Sequence, residues 1–137
     1  MEATVETEQT EESCIFCKIM AGNSPANFLA DGISSVAIEP LNPVVPGHFI
    51  VIPRNHVADA YENPNVTAMT MNDASQWAKM FSWRDPRYDS VNLIASVGKP
   101  ATQSIFHLHI HVVPRAENDG LALPWYSGKS SKKSQAH

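Results

Sequence analysis

From Phe106 to Val112 apolar residues and histidines alternate one for one, the period of an extended strand, whose successive side chains point to opposite faces. The pattern predicts a strand over 103–115 with Phe106, Leu108, Ile110 and Val112 on an apolar back and His107, His109 and His111 on the front. A helix would send His107 and His109 to nearly opposite sides and leave the pattern without a shared face. His48, Ile50 and Ile52 alternate with Phe49 and Val51, and apolar groups on both faces predict an interior strand. Phe28-Leu29-Ala30 and residues 34–39 flank Asp31-Gly32, which predicts a hairpin with a tight Asp-Gly turn. Residues 40–47, with three prolines and a glycine, read as a constrained loop.

The period changes from Asn65 onward. Val66, Met69, Asp73, Trp77, Met80 and Phe81 fall near one helical face, with Asn65 as N-cap and Asp85-Pro86 as the stop. A shorter helix is predicted over 16–21, ended by Gly22-Asn23-Ser24-Pro25. Residues 90–97 read as a strand that runs into a flexible turn at 98–102. The segment 119–125, with Leu121, Leu123, Pro124 and Trp125, is expected to fold back over the sheet or the mouth of the site. The elements together predict an α+β domain.

Composition bounds this picture. The chain has 137 residues, 43% hydrophobic and 18% charged, which suits one ordinary globular domain. Glu2, Glu6, Glu8, Glu11 and Glu12 predict a disordered acidic tail over 1–13. The folded domain is placed at 14–126, and Lys129, Lys132 and Lys133 among serines predict a disordered basic tail over 127–137. No apolar run approaches the roughly 18 residues of a membrane span, and the acidic start is unlike a signal peptide. A cytoplasmic chain with no membrane partner is expected. The net charge of −4 argues against sequence-independent binding to a nucleic-acid duplex.

Three imidazoles in register admit a solvated strand, an open three-histidine metal site, or nucleophilic attack on phosphorus. Cys14-x-x-Cys17 admits a redox pair, half a metal site or two buried thiols. No βαβ pattern surrounds the pair to favour redox chemistry. A zinc site would need two further ligands, and His56 and His107 are available.

His107-Leu108-His109-Ile110-His111-Val112-Val113, preceded by Gln103-Ser104, resembles the signature of the histidine triad (HIT) family of nucleotidyl hydrolases and transferases. The likeness extends to Pro46-Gly47-His48-Phe49-Ile50-Val51-Ile52-Pro53-Arg54-Asn55-His56 and to Cys14-Ile15-Phe16-Cys17-Lys18-Ile19, and covers residues 14–115. The resemblance implies a HIT-like fold, an antiparallel sheet of about five strands with one short and one longer helix. It implies cleavage at the α-phosphate of nucleoside phosphoramidates, aminoacyl adenylates or dinucleoside polyphosphates through a covalent nucleotidyl-histidine.

In that scheme His109 attacks, its other ring nitrogen oriented by a backbone carbonyl. His111 donates to a phosphate oxygen, Ser104 binds the phosphate or leaving group, and His48 supports the constellation. Three adjacent imidazoles disfavour one another's protonation, which keeps a nucleophilic nitrogen free. Glu39, Leu41, Ser96 and Gln103 are the further implied substrate contacts. Two departures bear on them: Pro40 stands where the family has an acidic residue, with Glu39 one position earlier, and Ser96 stands where many relatives have Asn. The resemblance also implies a structural Zn2+ on Cys14, Cys17, His56 and His107, and a homodimer formed through the longer helix and an adjacent strand. A non-catalytic nucleotide-binding scaffold and a three-histidine metalloenzyme stay open as alternatives.

Overall fold

The computed structural model describes residues 13–129. The tails predicted at 1–12 and 130–137 lie outside the described residues. Five antiparallel strands form one sheet: β1 (Phe28–Asp31), β2 (Ser35–Ile38), β3 (Phe49–Pro53), β4 (Val91–Ile94) and β5 (Ile110–Pro114). Their spatial order is β1-β2-β3-β5-β4, so β3 lies at the centre and every one of its residues is buried. Helix α1 (Ile15–Met20) covers one face and α2 (Pro64–Ser82) the other.

Period-2 alternation sorts the core into two layers. Ala37, Phe49, Val51, Ile110 and Val112 pack with Ala74 and Ala78 of α2. Val36, Ile38, Ile50 and Ile52 pack with Cys14, Phe16 and Ile19 around α1. Fully burying side chains of this size contributes about 1.5–3 kcal/mol each. A smaller cluster of Val57, Val66 and Leu108 closes one end. Among the described residues no helix is long and apolar enough to cross a membrane.

Four local expectations change. The triad strand is shorter than predicted: β5 begins at Ile110, its pairing with β4 stops at His111, and its pairing with β3 stops at Ile110. His107 and His109 lie on the irregular lead-in, which bends at 105–107 and where Leu108 N–H donates to Val57 O and leaves the ladder. The hairpin turn is Gly32-Ile33-Ser34 rather than a tight Asp-Gly pair, with Asp31 opposite Val36 and Gly32 N–H on Ser35 O. Arg54 closes this loop by pairing with Asp31 and donating to Gly32 O. Gly32 has no left-handed φ; a Cβ there would meet Ser35 O and the Trp77 ring, each at 3.0 Å.

Helix α2 starts two residues early, because Asn63, not Asn65, accepts from the Asn65 N–H as N-cap and Pro64 fills the first turn. Its buried stripe is Val66, Thr70, Ala74 and Ala78; small side chains let it settle close onto the sheet, while Met80 and Trp83 stay exposed. The fourth change concerns the turn before the triad. Residues 99–101 form a 3-10 turn instead of a flexible connection. The segment after β5 covers the end of the sheet away from His109: Arg115 pairs with Asp119 at 2.7 Å and donates to Asn92 Oδ1 and Leu121 O.

Candidate active site

The chain brings two cysteines and two histidines together at one end of α1. Cys14 is the N-cap of that helix, its Sγ accepting from Cys17 N–H, so one turn sets both sulfurs on the same side. His107 Nδ1 lies 3.4 Å from Cys14 Sγ and 3.6 Å from Cys17 Sγ; His56 Nδ1 lies 3.3 Å from Cys17 Sγ and 3.0 Å from His107 Nδ1. All four ligand atoms fall within 4.8 Å of one another. Tetrahedral zinc bonded to two sulfurs and two nitrogens separates unlike ligand atoms by about 3.5 Å. The cluster therefore fits a closed metal site, and the His107 tautomer agrees: Nε2–H donates to Pro53 O at 2.8 Å, which leaves Nδ1 with its lone pair. Burial pushes the His107 imidazole down to about 4, so it presents as a neutral ligand.

The triad rings do not converge on one ion. Among the described residues, the only group able to hold a metal takes His107 alone from the triad. The geometry thus gives the three-histidine metalloenzyme no support. His109 Nδ1–H donates to the backbone carbonyl of His107 at 2.9 Å, leaving Nε2 as its uncommitted nitrogen. Burial lowers the basicity of His109, opposed by that carbonyl bond, and Phe16 packs edge-on against the ring at 5.1 Å.

His111 belongs to a chain of bonds that ends on the main chain. Val44 N–H donates to His48 Nδ1 at 3.1 Å, and His48 Nε2 meets His111 Nδ1 at 2.9 Å. A backbone N–H can only donate, so His48 Nδ1 is unprotonated and its proton sits on Nε2. His111 Nδ1 then accepts, and the His111 proton sits on Nε2. Burial, followed by the neighbouring His109 and His48, pushes the His111 imidazole down to about 4. His48 is buried behind His111 and lowered by desolvation.

A cavity of about 720 Å³ opens in front of His109 and His111. Ile15, Phe16 and Ile19 of α1, with Ile38, Ile50 and Ile105, make an apolar wall; Ser104 and Thr102 stand beside the histidines; Asn27, Glu39, Leu41 and Asn42 line the rest. Glu39 is fixed from both ends, its Oε1 accepting from Asn27 Nδ2 at 2.9 Å and its N–H donating to Asn27 O at 3.0 Å. Pro40, next to Glu39, also lines the cavity.

Two expected contacts lie elsewhere. Gln103 is buried and does not line the cavity: its Oε1 accepts from Gly98 N–H, and its Nε2 donates to Ala58 O and Ile105 O. Three backbone partners hold the amide at both its oxygen and its nitrogen, so its work is to shape the turn before Ser104. Ser96 follows β4 outside the lining as well. Sequence reasoning missed the α1 side chains as a cavity wall, and missed Asn27, Thr102 and the Val44 amide. The apolar spacing of Ile15, Phe16 and Ile19 was visible. A backbone amide carries no side-chain signal.

The HIT-domain family model matches residues 21–118, and the chain belongs to the histidine triad (HIT) family. It is 34% identical to the adenylylsulfatase HINT3 of Arabidopsis thaliana over 117 residues, covering 85% of this chain and 59% of that protein's length. It is 32% identical to the adenosine 5'-monophosphoramidase HNT1 of Saccharomyces cerevisiae, over 84% of this chain and 71% of the yeast protein. A zinc-bound histidine triad protein from Mycobacterium smegmatis superposes with a TM-score of 0.73 at 32% identity, covering 82% of each chain. A HIT family protein from Bacillus anthracis gives 0.75 at 28% identity, over 93% of this chain and 89% of the other.

Proposed function

We propose that this protein is a nucleotidyl hydrolase or transferase that cleaves at the α-phosphate of a nucleoside phosphoramidate, aminoacyl adenylate or dinucleoside polyphosphate. The observation that carries the reading is the disposition of His109: one ring nitrogen is tied to the His107 carbonyl, and the ring borders the cavity beside Ser104 and His111. Relatives named as an adenylylsulfatase and as an adenosine 5'-monophosphoramidase support it.

A negatively charged phosphoryl centre resists anionic nucleophiles, and a neutral imidazole avoids that repulsion. His109 Nε2 attacks phosphorus, the bond to the leaving group breaks, and the leaving group departs with its electron pair, an amine taking a proton from solvent. His111 Nε2–H and the Ser104 hydroxyl donate to phosphate oxygens as charge builds. Water then attacks the nucleotidyl-His109 and gives up a proton to solvent, while the breaking P–N bond returns the nitrogen its electron pair and releases the nucleoside monophosphate. The apolar α1 wall takes the base, and Glu39 with Leu41 takes the ribose side.

Cys14, Cys17, His56 and His107 are assigned a structural Zn2+, which on binding cross-links α1 to the triad segment. Cytoplasmic residence, where thiols stay reduced and able to bind metal, is part of the same proposal. A homodimer is assigned to the β4 edge, where Ile94 is exposed. The test is the intact mass after rapid mixing with adenosine 5'-phosphoramidate. An adenylyl adduct mapping to His109, absent in His109→Ala, is expected. Turnover that survives undiminished in His109→Ala sinks the reading, and nucleotide binding without turnover in the parent protein would establish the scaffold alternative instead.

A further inference from the structure

The loop between β2 and β3 does two things at once. Pro40, Leu41, Asn42 and Pro43 line the cavity, and the next residue, Val44, gives its N–H to His48 Nδ1. His48 is 5% exposed and passes the consequence to His111 at 2.9 Å. The Val44 side chain is 56% exposed, so what this residue supplies is its main chain.

We propose that this loop couples occupancy of the nucleoside end of the cavity to the donor state of His111: the Val44 amide, through His48, holds the His111 proton on Nε2, facing the phosphate. The inference rests on the nucleotidyl-transfer reading and extends it to how substrate is sensed. With the Val44 N–H withdrawn, His48 is free to carry its proton on Nδ1 and to present a lone pair at Nε2. His111 Nδ1 then becomes the donor, and its Nε2 meets the phosphate oxygen lone pair against lone pair. One backbone bond therefore decides whether His111 attracts or repels the developing charge, and a ligand group seated against Pro40 to Pro43 holds that bond in place. The base and ribose thus contribute to rate as well as to affinity, which is how binding energy remote from the reacting atoms is used.

The first experiment is long-range 1H–15N NMR of the histidine rings in the resting protein, which reads tautomers without any turnover. The expected result is a resting protein in which His48 and His111 are mainly protonated on Nε2, with a minor His111 Nδ1–H form that disappears when a nucleoside monophosphate is added. His111 protonated mainly on Nδ1 overturns the proposal even if the protein is an active nucleotidyl transferase. Failure of the transfer reading itself would appear separately, as no adduct on His109.

The second experiment compares variants. His48→Gln keeps an N–H donor facing His111, whereas His48→Glu offers only acceptors and reverses the His111 proton. His48→Glu should lower kcat by about a hundredfold or more, the cost of losing one preorganised donor to the transition state, with KM moving only a few-fold. His48→Gln should retain at least about tenfold more turnover than His48→Glu; equal losses in the two would mean that His48 only fills space. Val44→Pro deletes the N–H that His48 Nδ1 accepts, and also fixes φ there and restricts Pro43 before it. In the parent protein, replacing a nucleoside 5'-phosphoramidate by ribose 5-phosphoramidate should lower kcat as well as raise KM, and in Val44→Pro the kcat part of that difference should disappear. A truncated substrate that changes KM only, in the parent, overturns the coupling.

Discussion

His107 and His109 share one hydrogen bond that joins two sites: the carbonyl of His107, whose ring stands among Cys14, Cys17 and His56, accepts His109 Nδ1–H at 2.9 Å. Order at the cluster is thereby order at the candidate nucleophile. Phe16 reinforces the link, since its ring lies 5.8 Å from His107 and 5.1 Å from His109 on the helix that Cys14 caps.

Metal removal should therefore be felt twice. Metal analysis of protein purified without chelator should find about one zinc per chain, the stoichiometry of a four-ligand structural site. Stripping it should lower Tm by about 10 °C or more, because binding energy at such sites is folding energy. Nucleoside monophosphate affinity, read by calorimetry, should fall together with Tm, since α1 forms the cavity wall. Zinc-free protein of unchanged Tm and affinity would dissociate the two sites.

His111→Ala should reduce kcat by about 10²–10³, the range for one donor to developing charge, while leaving the His109 adduct detectable by mass. Steady-state kinetics with adenosine 5'-phosphoramidate makes the comparison. A loss confined to KM would reassign His111 to ground-state binding.

Burial makes the histidines a source of acid sensitivity. His48 and His111 both have basicities lowered by desolvation, His111 to about 4, whereas an unfolded histidine titrates near about 6.5. Above that pH both states are neutral and nothing is lost. As pH falls below it the unfolded chain takes up protons first, so stability declines down to the folded value. The half-buried pair of Arg115 and Asp119 acts in the same direction but at lower pH: the guanidinium holds the Asp119 carboxyl below the usual range, so its stabilisation survives until pH falls below about 4. Tm should therefore drop between pH 7 and pH 5 through the histidines; a Tm that stays flat across that window would contradict the burial argument.

The three imidazoles could be read from sequence because alternation fixes a face regardless of where hydrogen bonding begins. His107, His109 and His111 all stand on the α1 side, opposite Ile110 and Val112 under α2, even though the ladder starts only at Ile110. The cysteine pair was legible through its spacing on one helical turn. The stripe of α2 was not: a close helix-sheet contact selects Thr70, Ala74 and Ala78 for smallness, and smallness has little weight in a hydrophobic pattern. The Asp-Gly turn misled because Gly32 is required by the nearby Trp77 and not by a left-handed backbone. Gln103 misled because a polar residue beside a triad looks like a ligand until its three backbone partners are seen.

Phe16→Ala tests the cavity wall. The side chain is 4% exposed and touches both His107 and His109, so truncation should cost about 3–5 kcal/mol of stability. Urea unfolding gives the stability. KM should rise more than kcat falls, since in the proposed reading the ring meets the nucleoside rather than the phosphate. Phe16→Leu restores apolar volume and should recover most of both.

Gly47 offers a test of how tightly the segment before His48 is held. Its φ of +91° is a conformation that side-chain-bearing residues rarely adopt, and a Cβ there would lie 2.6 Å from Arg87 Cδ and 2.9 Å from Tyr88 Oη. Tyr88 cannot easily yield, because its hydroxyl donates to Gly47 O at 2.6 Å and its ring packs on Phe49 and Phe81. Gly22 provides the control: its φ is +83°, and a Cβ would meet nothing within 4 Å. Gly22→Ala should thus cost only the backbone strain, about 1 kcal/mol, whereas Gly47→Ala should add steric displacement and reach about 2–4 kcal/mol. Because His48 follows directly, Gly47→Ala should also lower kcat, and Gly22→Ala should not. Equal Tm losses in the two variants would show that the Arg87 and Tyr88 contacts relax freely and that the position of His48 does not depend on them.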